Sequence, residues 1–498
     1  MYSVILEFAK IFVGSIILLQ IARVIHKLLF WRRVGVRGPI PFPLFGNWFN
    51  CIFGFKHPAE QTKHFYEQYN NEKVVGIFQN HTPRLIIRDR NLIKDILIKD
   101  FESFSERGVQ VHENVEPLSH HLFTMGRDFW QPIKTALLPA FNVGKLKESA
   151  HVILNIAEEF STYVETVAQA SSEVNCIDAF TRFMNEVLGK WGLQLEMNQF
   201  DTESTVFREI NNSRRSWGVY NATRRLLREN LPGLYKYSSK LFRNNVVISY
   251  YVNKLKSIEQ YRKCTGDDLK DYAGLLLQFK NETSKIGERC LSDELTAAQI
   301  YLLFTAGAES TALVISKAIY EIAKSDLIQN TLRDEIKRVF EKSDGTIFEK
   351  LKVLKYLNQV FKETLRKYPL RNIIRVSTKP YTFRGTNVKI PAGTNIIVPL
   401  YGLHRDPEIF QNPNVFDPER FDTEMKNQDL FSIPFGLGPR YCIGSKLAEV
   451  TVKIILVVIL KKFKLKIDDG YTLSKNYTKK TFLEPIKGIK VKFERYSQ

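Results

Sequence analysis

Residues 435–444 read FGLGPRYCIG and decide the fold, because they lie directly before a predicted helix over residues 445–461. Unpaired backbone N–H groups and the positive end of the helix dipole stabilise a thiolate at such a position, so Cys442 is predicted to be a metal ligand. The glycines leave room for a flat ligand against the backbone, and Arg440 offers a cation for an acidic substituent of that ligand. A buried structural cysteine in a glycine-rich loop is the alternative interpretation. The predicted site residues of this loop are Phe435, Gly436, Gly438, Arg440, Cys442 and Gly444.

The composition is that of a large globular chain. With 498 residues, 44% of them hydrophobic and 25% charged, the sequence excludes small stapled scaffolds, disordered chains and collagen. The net charge of +19 suits an anionic lipid surface, nucleic acid or an acidic protein partner, and does not choose among them. The five cysteines include no C-x-x-C pair, which argues against a disulfide framework, a zinc site and an iron–sulfur site and favours a reducing compartment.

The first 50 residues predict a membrane attachment. Residues 4–30 are apolar enough to enter a bilayer, and the basic residues after them place the following chain in the cytoplasm. A buried or interfacial helix is the alternative. Residues 38–47 read GPIPFPLFGN, in which alternate prolines predict a stiff, extended hinge. We therefore divide the chain into an anchor (1–30), a basic, proline-rich hinge (31–50) and one large domain (51–498).

Three further stretches carry structural predictions. Residues 73–88 predict a β-hairpin with its turn at His81-Thr82-Pro83. Residues 293–324 predict one long helix, whose centre, AGAEST at 306–311, is unusually polar. Residues 208–263 contain 13 Lys or Arg and three acids, which indicates either a second membrane-surface contact or a set of solvated helix faces.

Two further motifs carry charged residues at fixed spacing. Residues 363–366 read ETLR, and the i,i+3 spacing places Glu363 and Arg366 on one helix face. Residues 418–421 read PERF and add Arg420. An E-x-x-R motif alone is most simply a surface ion pair. Together with FGLGPRYCIG and AGAEST, however, these motifs make the chain resemble the cytochrome P-450 superfamily of haem-thiolate monooxygenases.

The resemblance implies a mainly α fold with small β-sheets, in which a single large haem-binding monooxygenase domain follows the membrane anchor. It implies haem b as the iron cofactor, with Cys442 as the axial ligand. It also makes Glu363, Arg366 and Arg420 a structural triad that takes no part in the chemistry.

The resemblance further implies which residues hold the haem carboxylates. Arg375 and Arg440 match two arginines with that role in the superfamily. Trp130 and Lys134 match its W-x-x-x-R pair, with Lys in place of Arg, which keeps the charge and loses the bidentate geometry. Pro132, between them, is expected in the first turn of their helix.

The AGAEST centre resembles the superfamily's oxygen-activation motif, in which an acid and an alcohol relay protons to dioxygen. Glu309 is the acid, and Ser310 stands where threonine is usual, so Thr311 is a second candidate for the alcohol. A polar kink without function is the alternative.

The implied function is oxidation of a small lipophilic substrate such as a xenobiotic or an endogenous lipid, with electrons from NADPH through cytochrome P-450 reductase. Cytochrome b5 is a second candidate partner, membrane lipid a third, and nucleic acid is not expected. Local strings such as LHRDP at 403–407 most resemble insect microsomal xenobiotic-metabolising members, which implies the endoplasmic reticulum membrane with the catalytic domain facing the cytoplasm. By position, the expected substrate-pocket residues are Phe304, Ala308, Ile373, Ile374 and Phe482, and Lys446 is an expected reductase contact.

Two alternative functions remain open at this point. One is a reductase-independent haem isomerase or dehydratase of the same fold, and the other is a non-catalytic haem or lipid carrier. The acid–alcohol pair Glu309 and Ser310 argues against both, because neither function requires it.

Overall fold

The computed structural model describes most of the chain, and the described parts form two compact units. The described residues are 2–43, 45–200, 223–224, 227–228, 231–266, 270–282, 291–422, 433–474, 476–478 and 482–496. The first unit consists of Met1–Gly108, Arg371–Gln411 and Leu437–Arg440, and the second of Val109–Leu370, Asn412–Gly436 and Tyr441–Gln498.

The first unit is built around a mixed sheet. Its helices are α1 (Tyr2–Leu28), α2 (Phe30–Val34), α3 (Phe49–Ile52), α4 (Pro58–Gln68), α5 (Arg90–Lys94), a π-helix (Asp95–Lys99) and a short helix at Leu400–Leu403. Its strands are β1 (Val74–Gln79), β2 (Thr82–Ile87), β4 (Ile373–Val376), β5 (Tyr381–Thr382), β6 (Lys389–Ile390) and β7 (Asn395–Val398). The sheet order is β1-β2-β7-β4, with β2 and β7 parallel and the other pairs antiparallel, while β5 and β6 pair separately.

The predicted hairpin is confirmed, but its turn lies earlier in the chain than expected. Gln79 pairs with Thr82, so the loop consists of Asn80 and His81, and Pro83 belongs to the second strand opposite Phe78. Asn80 has φ of 53°, a conformation that asparagine adopts more readily than most residues. The placement of the turn at His81-Thr82-Pro83 was therefore wrong, because Asn80 and not the proline makes the reversal.

The proline-rich segment is not extended throughout. Phe42 and Gly46 exchange both backbone hydrogen bonds at 2.9 Å, which folds the chain back on itself. Gly46 has φ of +60°, and a Cβ there would lie 2.5 Å from the carbonyl oxygens of Phe78 and Asn80. The prediction of extended backbone across this segment was wrong at Phe42–Gly46, because the chain packs against the hairpin there.

Two helices in the described residues are long and apolar enough to cross a membrane. One is Lys10–Leu28 within α1, none of whose most apolar window is buried. The other is Asp293–Ala323. Of its most apolar window 67% is buried, as in the core helix of a soluble domain. The N-terminal helix is therefore consistent with the expected anchor.

The second unit is mainly helical. Its helices are α6 (Arg127–Leu137), α7 (Val143–Ala170), α8 (Cys176–Leu193), α9 (Pro232–Tyr237), α10 (Ser239–Phe242), α11 (Asn245–Thr265), α12 (Tyr272–Asn281), α13 (Asp293–Leu302), α14 (Glu309–Ala323), α15 (Asp326–Lys342), α16 (Ile347–Val353), α17 (Lys355–Lys367) and α18 (Ser445–Lys462). Short 3₁₀ turns include Pro117–Ser119, Leu138–Phe141 and Pro418–Phe421. Its sheet has the order β3 (Val174–Asn175), β9 (Lys490–Arg495), β8 (Phe463–Lys466).

The long predicted helix is present but changes geometry at its centre. Helices α13 and α14 are joined by a π-helix at Leu303–Ala308, which contains the AGA half of the AGAEST stretch, while Glu309, Ser310 and Thr311 begin α14. A Cβ on Gly307 would lie 3.0 Å from Leu188, so close packing against α8 favours glycine at this position. The helix predicted over residues 293–324 is thus confirmed in extent, and its unusual centre includes a π-helical segment.

Two other helix predictions have opposite outcomes. The final helix over residues 445–461 is confirmed by α18. Pro132 does not lie in the first turn of its helix, because α6 already begins at Arg127 after Gly126. Pro132 is therefore an interior proline, which removes one helical hydrogen bond.

The basic stretch at residues 208–263 lies partly outside the described residues. Its described part includes α9, α10 and α11, where apolar side chains such as Tyr237 and Leu241 are exposed at 89% and 74%. A membrane-surface contact through this stretch stays a prediction.

Candidate active site

The loop that carries Cys442 is folded back on the segment before it. The N–H of Cys442 donates to the carbonyl of Phe435 at 2.9 Å, and Gly436 in the intervening turn has φ of +86°. The N–H of Ser445, the first residue of α18, donates to the carbonyl of Cys442 at 3.4 Å. Cys442 is exposed, whereas Cys51 and Cys176 are buried, so its thiol is accessible to a ligand beside a helix N-terminus.

Helix α6 is tied to this loop by one of the predicted cofactor residues. The ammonium of Lys134 donates to the carbonyl of Tyr441 at 3.0 Å, next to Cys442 in the chain. The same ammonium lies 5.9 Å from the centre of the buried Trp130 ring. The structure thus brings Trp130, Lys134 and the Cys442 loop together within the second unit.

The first unit contains the two arginines predicted to hold the haem carboxylates, and both are buried. Arg440 donates from Nε to the carbonyl of Ser105 at 3.1 Å, and Glu106 lies 4.0 Å from its guanidinium. Arg375 donates from Nη1 to the carbonyl of Ile374 at 2.8 Å, while its buried Nε has no hydrogen-bond partner among the described residues.

These arginines repel one another in a buried environment. Burial, together with the smaller effect of the nearby charge of Arg371, lowers the pKa of Arg375 to about 10. Burial lowers the pKa of Arg440 to about 9, with Glu106 opposing and Arg375 adding to the effect. A cluster of buried like charges is stabilised by an anionic group placed among them. The cluster therefore fits the acidic substituents of the expected haem.

The structural reason for glycine differs between positions of the loop. Gly438 has φ of +69°, and a Cβ there would lie 1.9 Å from the carbonyl oxygen of Leu97. Close packing on protein backbone is therefore sufficient to explain Gly438, and its role beside a flat ligand stays a prediction. A Cβ on Gly444 would meet only the Phe141 ring, at 3.7 Å, so the described residues do not require glycine there.

The predicted triad is a buried ion-pair network and not a surface pair. Arg366 donates from Nε and Nη2 to the two carboxylate oxygens of Glu363 at 2.6 and 2.7 Å. Nε of Arg420 lies 3.4 Å from the same carboxylate, which also accepts from the N–H of Asp417 at 2.9 Å. The side chains of Glu363 and Arg366 are 0% and 2% exposed.

The triad also holds the chain between residues 412 and 420. Arg366 donates to the carbonyls of Pro413 at 2.8 Å and Val415 at 3.2 Å, and Arg420 donates to that of Asn412 at 2.9 Å. The guanidinium N–H groups that do not bind Glu363 thus donate to backbone carbonyls.

The acid–alcohol pair follows the π-helix directly. Glu309 and Ser310 are half-buried and Thr311 is buried. The hydroxyl of Ser310 donates to the carbonyl of Ala306, one turn earlier in the π-helix. Ser310 therefore has a defined hydroxyl direction, with its oxygen lone pairs still able to accept.

Comparison with known protein families identifies the fold. The family model for cytochrome P450 matches residues 36–493. The chain belongs to the cytochrome P450 family.

The most similar curated relatives are insect proteins. Cytochrome P450 6B1 of Papilio polyxenes is 32% identical over 88% of this chain and 89% of that protein. Probable cytochrome P450 6a14 of Drosophila melanogaster is 30% identical over 96% of this chain and 98% of that protein, and cytochrome P450 6A1 of Musca domestica is 29% identical over 88% of each.

These matches confirm three predictions. The protein has the mainly α cytochrome P450 fold with small sheets, it is a cytochrome P450 monooxygenase, and its relatives are insect members. The family's cofactor is haem iron, supplied with electrons from NADPH by a reductase. The family also acts on small molecules, while the substrate of this chain is a separate question.

The expected pocket residues lie in both units. Phe304 and Ala308 are buried on the π-helix, and Phe482 is half-buried, in the second unit. Ile373 and Ile374 begin β4 in the first unit and are half-buried. Their role stays a prediction, as does the reductase contact through Lys446, an exposed residue that pairs with Glu449 at 3.2 Å.

Several buried charged residues among the described ones were not predicted, and Glu116 and Lys317 are two of them. Glu116 accepts from the Tyr235 hydroxyl and pairs with Arg224 and Arg228. Lys317 lies inside α14 and is 1% exposed. A lysine within an apolar helix is a signal that the sequence carries for Lys317, whereas the partners of Glu116 are over 100 residues away in the chain.

Proposed function

We propose that this protein is a membrane-anchored haem-thiolate monooxygenase that takes electrons from NADPH through cytochrome P450 reductase and inserts one oxygen atom into a small lipophilic substrate. The observation that carries the proposal is the exposed Cys442 thiol, three residues before α18 in a complete F-G-x-G-x-R-x-C-x-G loop. When bound, haem supplies the activation of dioxygen and the transfer of one oxygen atom.

Cys442 is the proposed axial ligand. Its position before α18 favours the thiolate, and the hydrogen bond from its N–H to Phe435 fixes the backbone that presents the sulfur. Lys134 stabilises the same loop through the carbonyl of Tyr441. A thiolate held by a rigid loop keeps its direction, which a metal ligand requires.

Arg375 and Arg440 are the proposed partners of the haem carboxylates, with Trp130 and Lys134 as further cofactor residues. The lowered pKa values of the two buried arginines support this role, because an anion in the cluster would offset their repulsion. Arg375 also has a buried Nε–H available for a hydrogen bond.

Glu309 and Ser310 are the proposed proton donors. The Ser310 oxygen accepts a proton from water or from the Glu309 carboxyl, and its own proton leaves once the hydroxyl turns away from Ala306. Serine makes this turn more freely than threonine, because it lacks the methyl group that restricts the rotamers. Thr311 is the second candidate, and its side chain is buried.

The proposed location is the endoplasmic reticulum membrane, with the catalytic units in the cytoplasm. The exposed apolar helix α1 and the basic residues that follow it support this orientation. Cytochrome b5 is a proposed second electron donor. The proposed substrates are xenobiotics or endogenous lipids, in keeping with the apolar residues expected at the pocket.

The test is the carbon monoxide difference spectrum of the reduced protein, followed by NADPH consumption with reductase. Cys442→Ala is expected to lose the thiolate-type spectrum and all turnover. Cys264→Ala is the matched control, because Cys264 is also exposed and lies at the end of α11. A thiolate-type spectrum in Cys442→Ala would overturn the proposal, and product formation without NADPH would favour an isomerase or dehydratase.

A further inference from the structure

Lys317 is a buried cation in the interior of α14. Every residue from Thr311 to Ile322 in this helix is buried, and Lys317 is 1% exposed. Lysine is almost never fully buried without a partner, because removing its charge from water costs more than its apolar stem contributes. Lys317 lies about two helical turns after Ser310 on the same helix.

The partners of Lys317 belong to two other segments. Its ammonium donates to the carbonyl of Leu483 at 2.9 Å and lies 5.1 Å from the centre of the Tyr368 ring. The Tyr368 hydroxyl donates to the carboxylate of Glu321, which also binds the ammonium of Lys367 at 2.8 Å. The ammonium of Lys317 is therefore stabilised by a charge-assisted hydrogen bond to Leu483 and by the aromatic ring of Tyr368.

The hydrogen bond from Lys317 completes the attachment of the chain at Leu483. The N–H of Leu483 donates to the carbonyl of Leu370 at 3.1 Å, so both backbone polar groups of this buried residue are used. On either side, the N–H of Thr478 donates to the carbonyl of Glu484 at 2.8 Å and that of Ile486 donates to Asn476 at 3.0 Å. Without Lys317, the Leu483 carbonyl loses this charged donor in the core.

The residue directly before Leu483 is Phe482. Its side chain is half-buried, and the N–H of Glu484 donates to its carbonyl at 2.8 Å, which makes a tight bend around Leu483. A bend fixed at its central residue also fixes the direction of the side chain before it. The position of the Phe482 ring thus depends on the contact between Lys317 and Leu483.

We propose that Lys317 is a positioning residue that anchors Leu483, fixes the Phe482 ring and thereby sets the size of ligand that the site accepts. This proposal rests on the proposed function, in which Phe482 lines the substrate pocket. Lys317 itself touches neither substrate nor cofactor, so its effect is on ligand selectivity.

The test uses Lys317→Met in the full-length holoenzyme. Methionine keeps the apolar stem and removes the N–H donor. We expect haem content to be retained and the loss of stability to be limited to that of one unpaired carbonyl, at Leu483. Hydrogen exchange at the Leu483 amide should be faster by about tenfold or more, the size of a lost hydrogen bond to a charged group. Lys324→Met is the matched control. The ammonium of Lys324 also lies near a tyrosine ring, 5.6 Å from the centre of Tyr320, but the side chain is exposed.

Ligand selectivity is measured with 1-methylimidazole and 1-hexylimidazole, whose binding to haem is followed by absorbance and needs no turnover. The ratio of the two Kd values should change by about fivefold or more in Lys317→Met and in Phe482→Ala, which is within the range of a changed apolar contact. In the Phe482→Ala background, Lys317→Met should then have no further effect on this ratio.

Three results would overturn the proposal. They are unchanged exchange at Leu483 in Lys317→Met, an unchanged Kd ratio in Phe482→Ala, and additive effects of the two substitutions. The second result is measured on Phe482→Ala alone, so it does not depend on whether Lys317→Met folds. Phe482 is half-buried, and its replacement is expected to be tolerated. Failure of the proposed function is distinguishable, since it would appear as the absence of a thiolate-type haem spectrum in the unmodified protein.

Discussion

Glu363→Gln tests the buried triad, because it removes one charge and changes the shape very little. In the variant, one carboxylate oxygen becomes an NH2 group, which faces the N–H donors of Arg366 or Asp417. In the unmodified protein these donors lie 2.6 to 2.9 Å from the carboxylate oxygens. The guanidinium of Arg366, only 2% exposed, then loses the carboxylate that it binds at 2.6 and 2.7 Å. The substitution therefore costs both a set of hydrogen bonds and the counter-charge of a buried cation.

The expected magnitude follows from burial. Removing one partner of a buried ion pair destabilises a protein by about 3–5 kcal/mol. Since about 1.4 kcal/mol corresponds to a factor of ten, the ratio of folded to unfolded protein falls by about a hundredfold to a few thousandfold. Total stabilities are about 5–15 kcal/mol, so much of the protein is expected to fail to incorporate haem.

The assay is the holoprotein yield from the carbon monoxide spectrum, together with the midpoint of urea unfolding. Glu148→Gln is the matched control, because Glu148 pairs with Lys145 at the same i,i+3 spacing, at 2.8 Å, on an exposed helix face. Exposed pairs of this kind contribute less than about 1 kcal/mol. Equal losses in Glu363→Gln and Glu148→Gln would refute the reasoning, since burial would then have no effect.

Three further predictions follow from the described contacts. Ser310→Ala should keep the haem spectrum and lower product per NADPH with release of hydrogen peroxide, whereas Thr311→Ala should not; the reverse result would assign the relay to Thr311. Burial opposes ionisation of Glu116, but Arg224 and Arg228 outweigh it and hold its pKa below the ordinary value of 4.5. The stability contributed by Glu116 should therefore be present above pH 4.5 and be lost as the pH falls below it. Hydrogen exchange measures this loss of stability, and Glu116→Gln should abolish its dependence on pH. Deletion of residues 2–28 should leave salt-sensitive binding to anionic vesicles through residues 208–263, and recovery in the soluble fraction at low salt would contradict that contact.

Short-range patterns predicted the parts of the fold that depend on neighbouring residues. The final helix, the hairpin strands and the i,i+3 pairing of Glu363 with Arg366 each follow from periodicity or spacing within a few residues. The sequence could not show that this pair is buried, because its remaining partners, Asp417 and Arg420, are over 50 residues away.

The errors occurred where a distant contact determines the local conformation. Gly438 was predicted from its motif, but the sequence could not show that the carbonyl of Leu97 lies 1.9 Å from where its Cβ would be. Gly46 and the turn at Asn80 likewise depend on packing between segments over 30 residues apart. The charge of Lys317 is visible in the sequence, but its use at Leu483 depends on a contact across 166 residues.

The π-helix explains why the alcohol at the active site was the hardest residue to assign from sequence. Successive residues of an α-helix are about 100° apart, and a π turn adds a residue, so every side chain after Ala308 is rotated relative to the face predicted from α13. The structure buries Thr311 and leaves Ser310 half-buried, with its hydroxyl directed to Ala306 at the π-helix. A proton relay needs a hydroxyl that reaches both a donor and an acceptor, and Ser310 meets this condition better than a side chain packed in the core. For this reason the larger loss of coupling is expected in Ser310→Ala.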